Sequence, residues 1–203
     1  MHIETLVSFW AFSLLFVFTP GADWAYVISA GMQRNRVAPA VIGLLAGYVI
    51  LTCLVSTGVG IFIANNHVMM TVLAIVGSAY LAWLGWNMIR NPPMPHAERE
   101  LPSGSWSEWA IRGVCVSGLN PKAFLFFLAF LPPWTDARGI WSVPLQIMAL
   151  GGTYTASCSL VYSLVGVGAN AFLKERPNAA KMLGQFSGVA MFLIAAVIIF
   201  RDL

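Results

Sequence analysis

The chain has 203 residues, of which 59% are hydrophobic and only 9% charged, and its mean hydropathy is +0.77. A soluble domain carries about 25% charged residues, so this composition excludes an ordinary soluble core. The formal net charge of +3 falls in segments between apolar runs, which reads as membrane topology and not as a nucleic-acid surface.

Uncharged or nearly uncharged runs lie at 5–31, 38–64, 68–89, 113–131, 142–173 and 182–200. Each approaches or exceeds the roughly 20 mainly apolar residues that a helix needs to cross about 30 Å of hydrocarbon. Runs this long are not the strands of about ten residues that build barrels. The pattern predicts an all-α integral membrane protein with six transmembrane helices in a single transmembrane domain over 1–203.

The first run follows only His2 and Glu4, lacks the basic leader of a secretory signal, and reads as a retained span. Its apolar part ends at Thr19-Pro20-Gly21-Ala22-Asp23. Small residues recur one turn apart in the second run (Gly43, Gly47), the third (Ala74, Ser78, Ala82, Gly85) and the fifth (Gly151, Thr155), which permits close helix contact. Packing inside the protomer is the expected use, with a homodimer seam as the alternative. A connector at 91–109, with Pro92, Pro93, Pro95 and Pro102 beside Glu98, Arg99 and Glu100, separates half-repeats of about 1–90 and 110–203. The fourth run carries Asn120-Pro121-Lys122. The fifth is polar, with Thr153, Tyr154, Ser157, Tyr162 and Ser163, for interhelical hydrogen bonds or for cavity lining. Trp106, Trp109, Trp134 and Trp141 flank spans as interfacial anchors. Cys53, Cys115 and Cys158 lie in apolar runs and read as buried thiols without metal-ligand spacing.

Basic residues choose the orientation. Arg34, Arg36, Arg90, Arg99, Arg112, Lys174, Arg176 and Lys181 fall on one side, against Arg138 and Arg201 on the other, which predicts both termini in the periplasm. Three spans per half is an odd number, so halves related as repeats must be inverted, a 3+3 arrangement typical of transporters.

Proline within a helix removes a donor and clashes with the carbonyl four residues back, so Pro20 frees Phe16 and Pro121 frees Ser117. Thr19 and Asn120 are expected as N-caps of the restarting helices, each followed by proline at the first helical position. Counted from Gly31 and Arg112 at 1.5 Å per residue, the two breaks lie about 16 and about 14 Å deep, near the midplane. Asp23 and Lys122 are the acidic and basic side chains placed well inside spans, a functional-site signal. A lysine at a helix N-terminus opposes the macrodipole, so Asp23 or a bound carboxylate should hold it.

These residues resemble the motifs of the LysE/RhtB family of amino-acid exporters: Thr19-Pro20-Gly21-Ala22-Asp23 in span one and Leu119-Asn120-Pro121-Lys122-Ala123 in span four. Gly77, Tyr80-Leu81-Ala82-Trp83-Leu84-Gly85-Trp86 and Arg90 resemble its third-span signature, and Gly31 to Gly47 its glycine-spaced second span. One departure is Ala22, where the family commonly has a second proline. The resemblance implies a secondary transporter, not an enzyme, of the bacterial cytoplasmic (inner) membrane. It implies export of amino acids or closely related small metabolites on an ion gradient, with a proton as candidate coupling ion and no cofactor. The site is expected at Thr19, Pro20, Gly21, Asp23, Asn120, Pro121 and Lys122, with the carbonyls of Phe16 and Ser117, a set of acceptors and donors that suits a zwitterion.

Two rivals share this architecture. A heavy-metal exporter wants clustered soft ligands, yet His2, His67 and His96 lie at the terminus or in loops and the thiols on three different spans. A membrane thiol electron carrier needs a cysteine on each broken helix, and only Cys115 lies on either. Enzyme motifs such as His-Glu-x-x-His are missing.

Topology is testable with single cysteines placed at His2 or Ser103 in a cysteine-free background. An impermeant reagent should label the His2 position in intact cells and spare Ser103; the opposite pattern reverses the orientation.

Overall fold

The computed structural model describes residues 1–33, 35–59, 67–91 and 104–169, with scattered positions from 182 to 196, and among these residues there is no strand. α1 (Ile3–Val17) and α2 (Ala22–Gly31) form a pair bent by 66°. α3 (Val37–Leu54) continues into a π turn at Val55–Val59, and α4 spans His67–Arg90. α5 (Trp106–Gly118) is bent by 52° from α6 (Pro121–Leu125), which runs on through a π turn at Phe126–Phe130 and a 3-10 turn at Pro132–Trp134. α7 covers Val143–Gly168.

Val37–Gly58, with 22 residues, is long and apolar enough to cross a membrane unaided, and the two bent pairs qualify as broken spans. α4 and α7, with 24 and 26 residues, have the length of a crossing but not the apolarity that marks the other three among the described residues. The expected sixth span at 182–200 lies largely outside the described residues; the positions described there are helical. The fourth span starts earlier than the apolar run implies, inside the expected connector. A reciprocal cap is the reason: the Glu108 N–H donates to Ser105 Oγ while the Ser105 N–H donates to the Glu108 carboxylate.

Small residues set the packing. A Cβ on Gly43 of α3 would run into the Ala110 carbonyl oxygen of α5, one on Gly47 into the Ser117 hydroxyl, and one on Gly113 would come within 2.8 Å of the Ala40 carbonyl oxygen. α7 meets α3 where Gly151 faces Thr52, and meets α2 where Gly31 faces the Gly166 carbonyl. These glycine contacts are therefore within the protomer. The side chain of Ala74 lies outside the described residues. The outer faces carry Ile42, Val49, Ile50 and Leu54 on α3 and Leu160, Leu164 and Val167 on α7, all exposed as a lipid-facing surface requires.

Two sequence-based expectations are corrected here. Trp106 and Trp141 are surface residues, but Trp109 is fully buried against Ala30 and Ala40, and its carbonyl accepts from the Tyr26 hydroxyl. Because α5 begins at Trp106, Trp109 is already inside the helix and turned toward α3. Trp134 packs on Phe9 and Phe12 with centroids 5.7 Å away. Among the thiols only Cys158 is buried; Cys53 is half-buried, and Cys115 is exposed because it sits on the face of α5 away from α3.

The packing makes a paired prediction. Gly43→Ala must push two backbones apart and should lower stability by about 1–3 kcal/mol, whereas Gly152→Ala, whose Cβ meets open space, should be neutral or slightly stabilising. Thermal unfolding of both variants in detergent checks this, and equal unfolding temperatures would refute the α3–α5 contact.

Candidate functional site

A helix that stops inside a membrane leaves its last four carbonyls without intrahelical donors. At the end of α1 each is accounted for. Leu14 O accepts from the Phe18 N–H at 2.9 Å, Leu15 O from Thr19 Oγ1 at 2.5 Å, and Val17 O from the Trp24 indole N–H at 2.9 Å. Phe16 O accepts from the Thr19 N–H at 3.3 Å and from Lys122 Nζ at 2.8 Å. Lys122 Nζ donates also to Thr19 O, at 2.9 Å. The carbonyl expected to be freed by Pro20 is thus held by a cation from the other broken helix.

The chain then passes Pro20, is extended at Gly21 and restarts at Ala22. Thr19 is not the N-cap of α2, contrary to expectation. That position is Gly21, with no side-chain cap, because the Thr19 hydroxyl has turned back onto α1. Nor is Pro20 the first helical residue. Asp23 falls in the first turn of α2, where the positive end of the helix favours a carboxylate.

The second break follows the expected pattern. Asn120 is the N-cap of α6, its Oδ1 accepting the Lys122 backbone N–H at 3.0 Å, and Pro121 is the first helical residue. Ser117 O, the carbonyl freed by Pro121, accepts from the Asn120 N–H at 3.3 Å. Asn120 has a second role, since its Nδ2 donates to Asp23 Oδ2 at 3.0 Å.

The two breaks therefore meet, and Asp23 and Lys122 lie in one buried locus, 1% and 5% exposed. No hydrogen bond joins them. Asn120 stands on the carboxylate, while the ammonium is held by the end of α1. Gly21 lies alongside: a Cβ there would be in ordinary contact with Lys122, 3.9 Å from Cδ and 4.0 Å from Nζ. Asp23 Oδ1 is buried with no hydrogen-bond partner.

Around this locus the walls are aromatic. Phe16 packs on Phe126 at 4.7 Å and on Phe130 at 5.4 Å, which closes the side toward the N-terminus. From α3 and α7, Tyr48 and Tyr162 bring buried hydroxyls 3.2 Å apart, with Tyr154 edge-on to Tyr48 at 5.4 Å. Tyr154 and Tyr162 belong to the polar set noted in the fifth run, but Tyr48 and Trp24 escape the sequence reading. Tyr48 does leave a signal, since a tyrosine in an apolar run needs a partner for its hydroxyl.

The family model of the LysE type translocator matches residues 14–201. The chain is 26% identical to an uncharacterized membrane protein of Vibrio cholerae, over 97% of this chain and 99% of that protein. It is 26% identical to a leucine efflux protein of Klebsiella pneumoniae, over 91% and 89%. To a cysteine/O-acetylserine efflux protein of Salmonella choleraesuis it is again 26% identical, over 75% and 79%. No solved structure matches.

The unequal caps give a stability test. Asn120→Ala removes both the α6 cap and the donor to Asp23 and should cost about 2–4 kcal/mol. Thr19→Val removes only a back-bond within α1 and should cost under about 1 kcal/mol. Comparable losses in thermal unfolding would show that Thr19 caps α2 after all.

Proposed function

The chain belongs to the LysE type translocator family, and on that premise we propose that it is a secondary-active exporter of amino acids or closely related small metabolites in a bacterial cytoplasmic membrane. The observation that carries this reading is the burial of one acid and one base, Asp23 and Lys122, where two broken helices meet. Intramembrane charges on discontinuous helices are the means by which transporters hold charged cargo and coupling ions. The efflux activity named for the Klebsiella and Salmonella relatives is of the same class.

In this reading Lys122 receives the substrate carboxylate and Asp23 alternates between a proton and the substrate ammonium, so that an inward proton gradient drives export. Thr19, Pro20 and Gly21 on one side, and Asn120 and Pro121 on the other, shape the breaks that aim these two groups. The proposed architecture is six spans in two inverted halves with both termini periplasmic. Cross-packing supports the repeat: the α1–α2 pair lies on α7 of the second half, and α5 lies on α3 of the first. A homodimer is compatible with the apolar outer faces.

Efflux from cells or proteoliposomes tests the proposal. Asp23→Asn and Lys122→Met should each abolish export, since each removes one of the two buried charges that the proposed site uses. The double variant should regain membrane abundance and stay inactive. Normal export by a well-expressed double variant would overturn the assignment, and normal export by Asp23→Asn alone would remove its proton-coupling half.

A further inference from the structure

The two broken helices divide the molecule by side. α1 begins, and the turns that follow α6 end, at one face, where Met1, Thr5 and Trp134 line a cavity of about 120 Å³. α2 and α5 fill the opposite half. Phe9, Phe12 and Phe16 recur on one side of α1, and Phe126, Phe130 and Trp134 recur one turn apart beyond α6. The two rows interleave. Phe16 lies 4.7 and 5.4 Å from Phe126 and Phe130, Phe12 lies 6.1 and 5.7 Å from Phe130 and Trp134, and Phe9 lies 5.7 and 6.1 Å from Trp134 and Phe126. The pairs are tilted or edge-on, arrangements that add attraction to the burial of the rings. At one end of this seam is Phe16, whose carbonyl holds Lys122 Nζ, and at the other is Trp134 on the cavity wall. The seam therefore stands between the buried charges and the N-terminal face.

The other half is closed differently. Among the described residues α2 and α5 share one ring pair, Tyr26 and Trp109 at 5.2 Å, with the Tyr26 hydroxyl donating to the Trp109 carbonyl. Trp109 is fully buried, yet its indole N–H has no acceptor. A buried donor left without a bond is a cost of the closed state, and parting α2 from α5 returns that N–H to water. A seam of interleaved rings is thus set against a single latch that carries an unsatisfied donor.

Building on the exporter reading and its orientation, we infer that the rings of α1 and α6 form the outer gate of the buried site and the Tyr26–Trp109 pair its inner gate. The outer gate is the stronger, so the empty carrier opens preferentially toward the cytoplasm, the side from which an exporter must load. A ligand shifts such an equilibrium only through contacts that differ between the two states. Phe16 supplies one, because its ring belongs to the seam while its carbonyl holds Lys122. Cargo that draws the ammonium off that carbonyl loosens the innermost ring of the outer gate.

Thr19→Cys in a cysteine-free background puts a thiol at the break, and a charged, impermeant methanethiosulfonate reads its exposure from either face of sealed right-side-out or inside-out vesicles. His2→Cys marks the outer face. Without cargo, Thr19→Cys should react about tenfold faster from the face opposite His2. Adding Phe12→Ala with Phe130→Ala should raise the reaction from the His2 face about tenfold. Adding Tyr26→Phe should raise it from the opposite face about threefold and leave the His2 face unchanged. Equal rates, a faster rate from the His2 face, or no reaction from either face overturns the inference, as do folded ring variants that leave the rates unmoved. So does His2→Cys reacting from the cytoplasmic side, which reverses the loading direction. If the ring variants do not fold, the comparison of the two faces decides alone. None of these measurements requires transport, so the exporter reading stands or falls separately, on efflux.

Discussion

The ammonium of Lys122 sits on the broken end of α1, and much of the molecule is arranged to put it there. A helix that terminates among apolar groups has carbonyls that water cannot reach, and each needs a donor from elsewhere in the protein. Backbone N–H groups, the Thr19 hydroxyl and the Trp24 indole satisfy part of this demand, and Lys122 completes it at Phe16 and Thr19. For Lys122 to arrive, a second helix must begin beside the first one's end. The Asn120 cap and Pro121 start α6 at that point, and the glycine contacts of α3 with α5 bring the whole broken pair in close enough.

The same contact resolves an electrostatic puzzle. A lysine in the first turn of its own helix opposes that helix's dipole, yet its long side chain places the charge at the carbonyl end of another helix, where a cation is favoured. Asp23, in the first turn of α2, has the matching relation to a positive end. The carboxylate is therefore held by a helix terminus and by Asn120, the ammonium by the carbonyl end of α1, and no hydrogen bond joins the two. Two opposite charges held near each other but unpaired keep the capacity to bind something that carries both signs.

Much of this was legible in the residues. Asn120-Pro121 reads as cap and first helical residue because asparagine has an acceptor of the right reach and proline needs no donor there, and the structure has that geometry. Thr19-Pro20 has the same outline but behaves differently. Threonine can also bond back to the preceding turn, and with glycine following the proline the restart shifts downstream to Ala22. The early start of α5 was readable too, in the Ser105-x-x-Glu108 spacing, but apolar-run counting passes over amphipathic first turns. Trp109 changed from anchor to core for that reason. Tertiary partners such as Trp24 on Val17, or Tyr48 beside Tyr162, connect residues on separate turns or separate helices and leave almost no local trace.

The glycine contact between α3 and α5 has a mechanical meaning. Where backbone rests on backbone, as at Gly43 with Ala110 and Gly113 with Ala40, no rotamer can yield, so the pair responds to force as one stiff plank. Compliance falls instead to the two breaks, Phe18 to Gly21 and Leu119 to Asn120, where the chain departs from helical hydrogen bonding. Across them Asp23 travels with α2 and Lys122 with α6, and the Asn120 Nδ2–Asp23 Oδ2 hydrogen bond is the tie that any parting of the two must break.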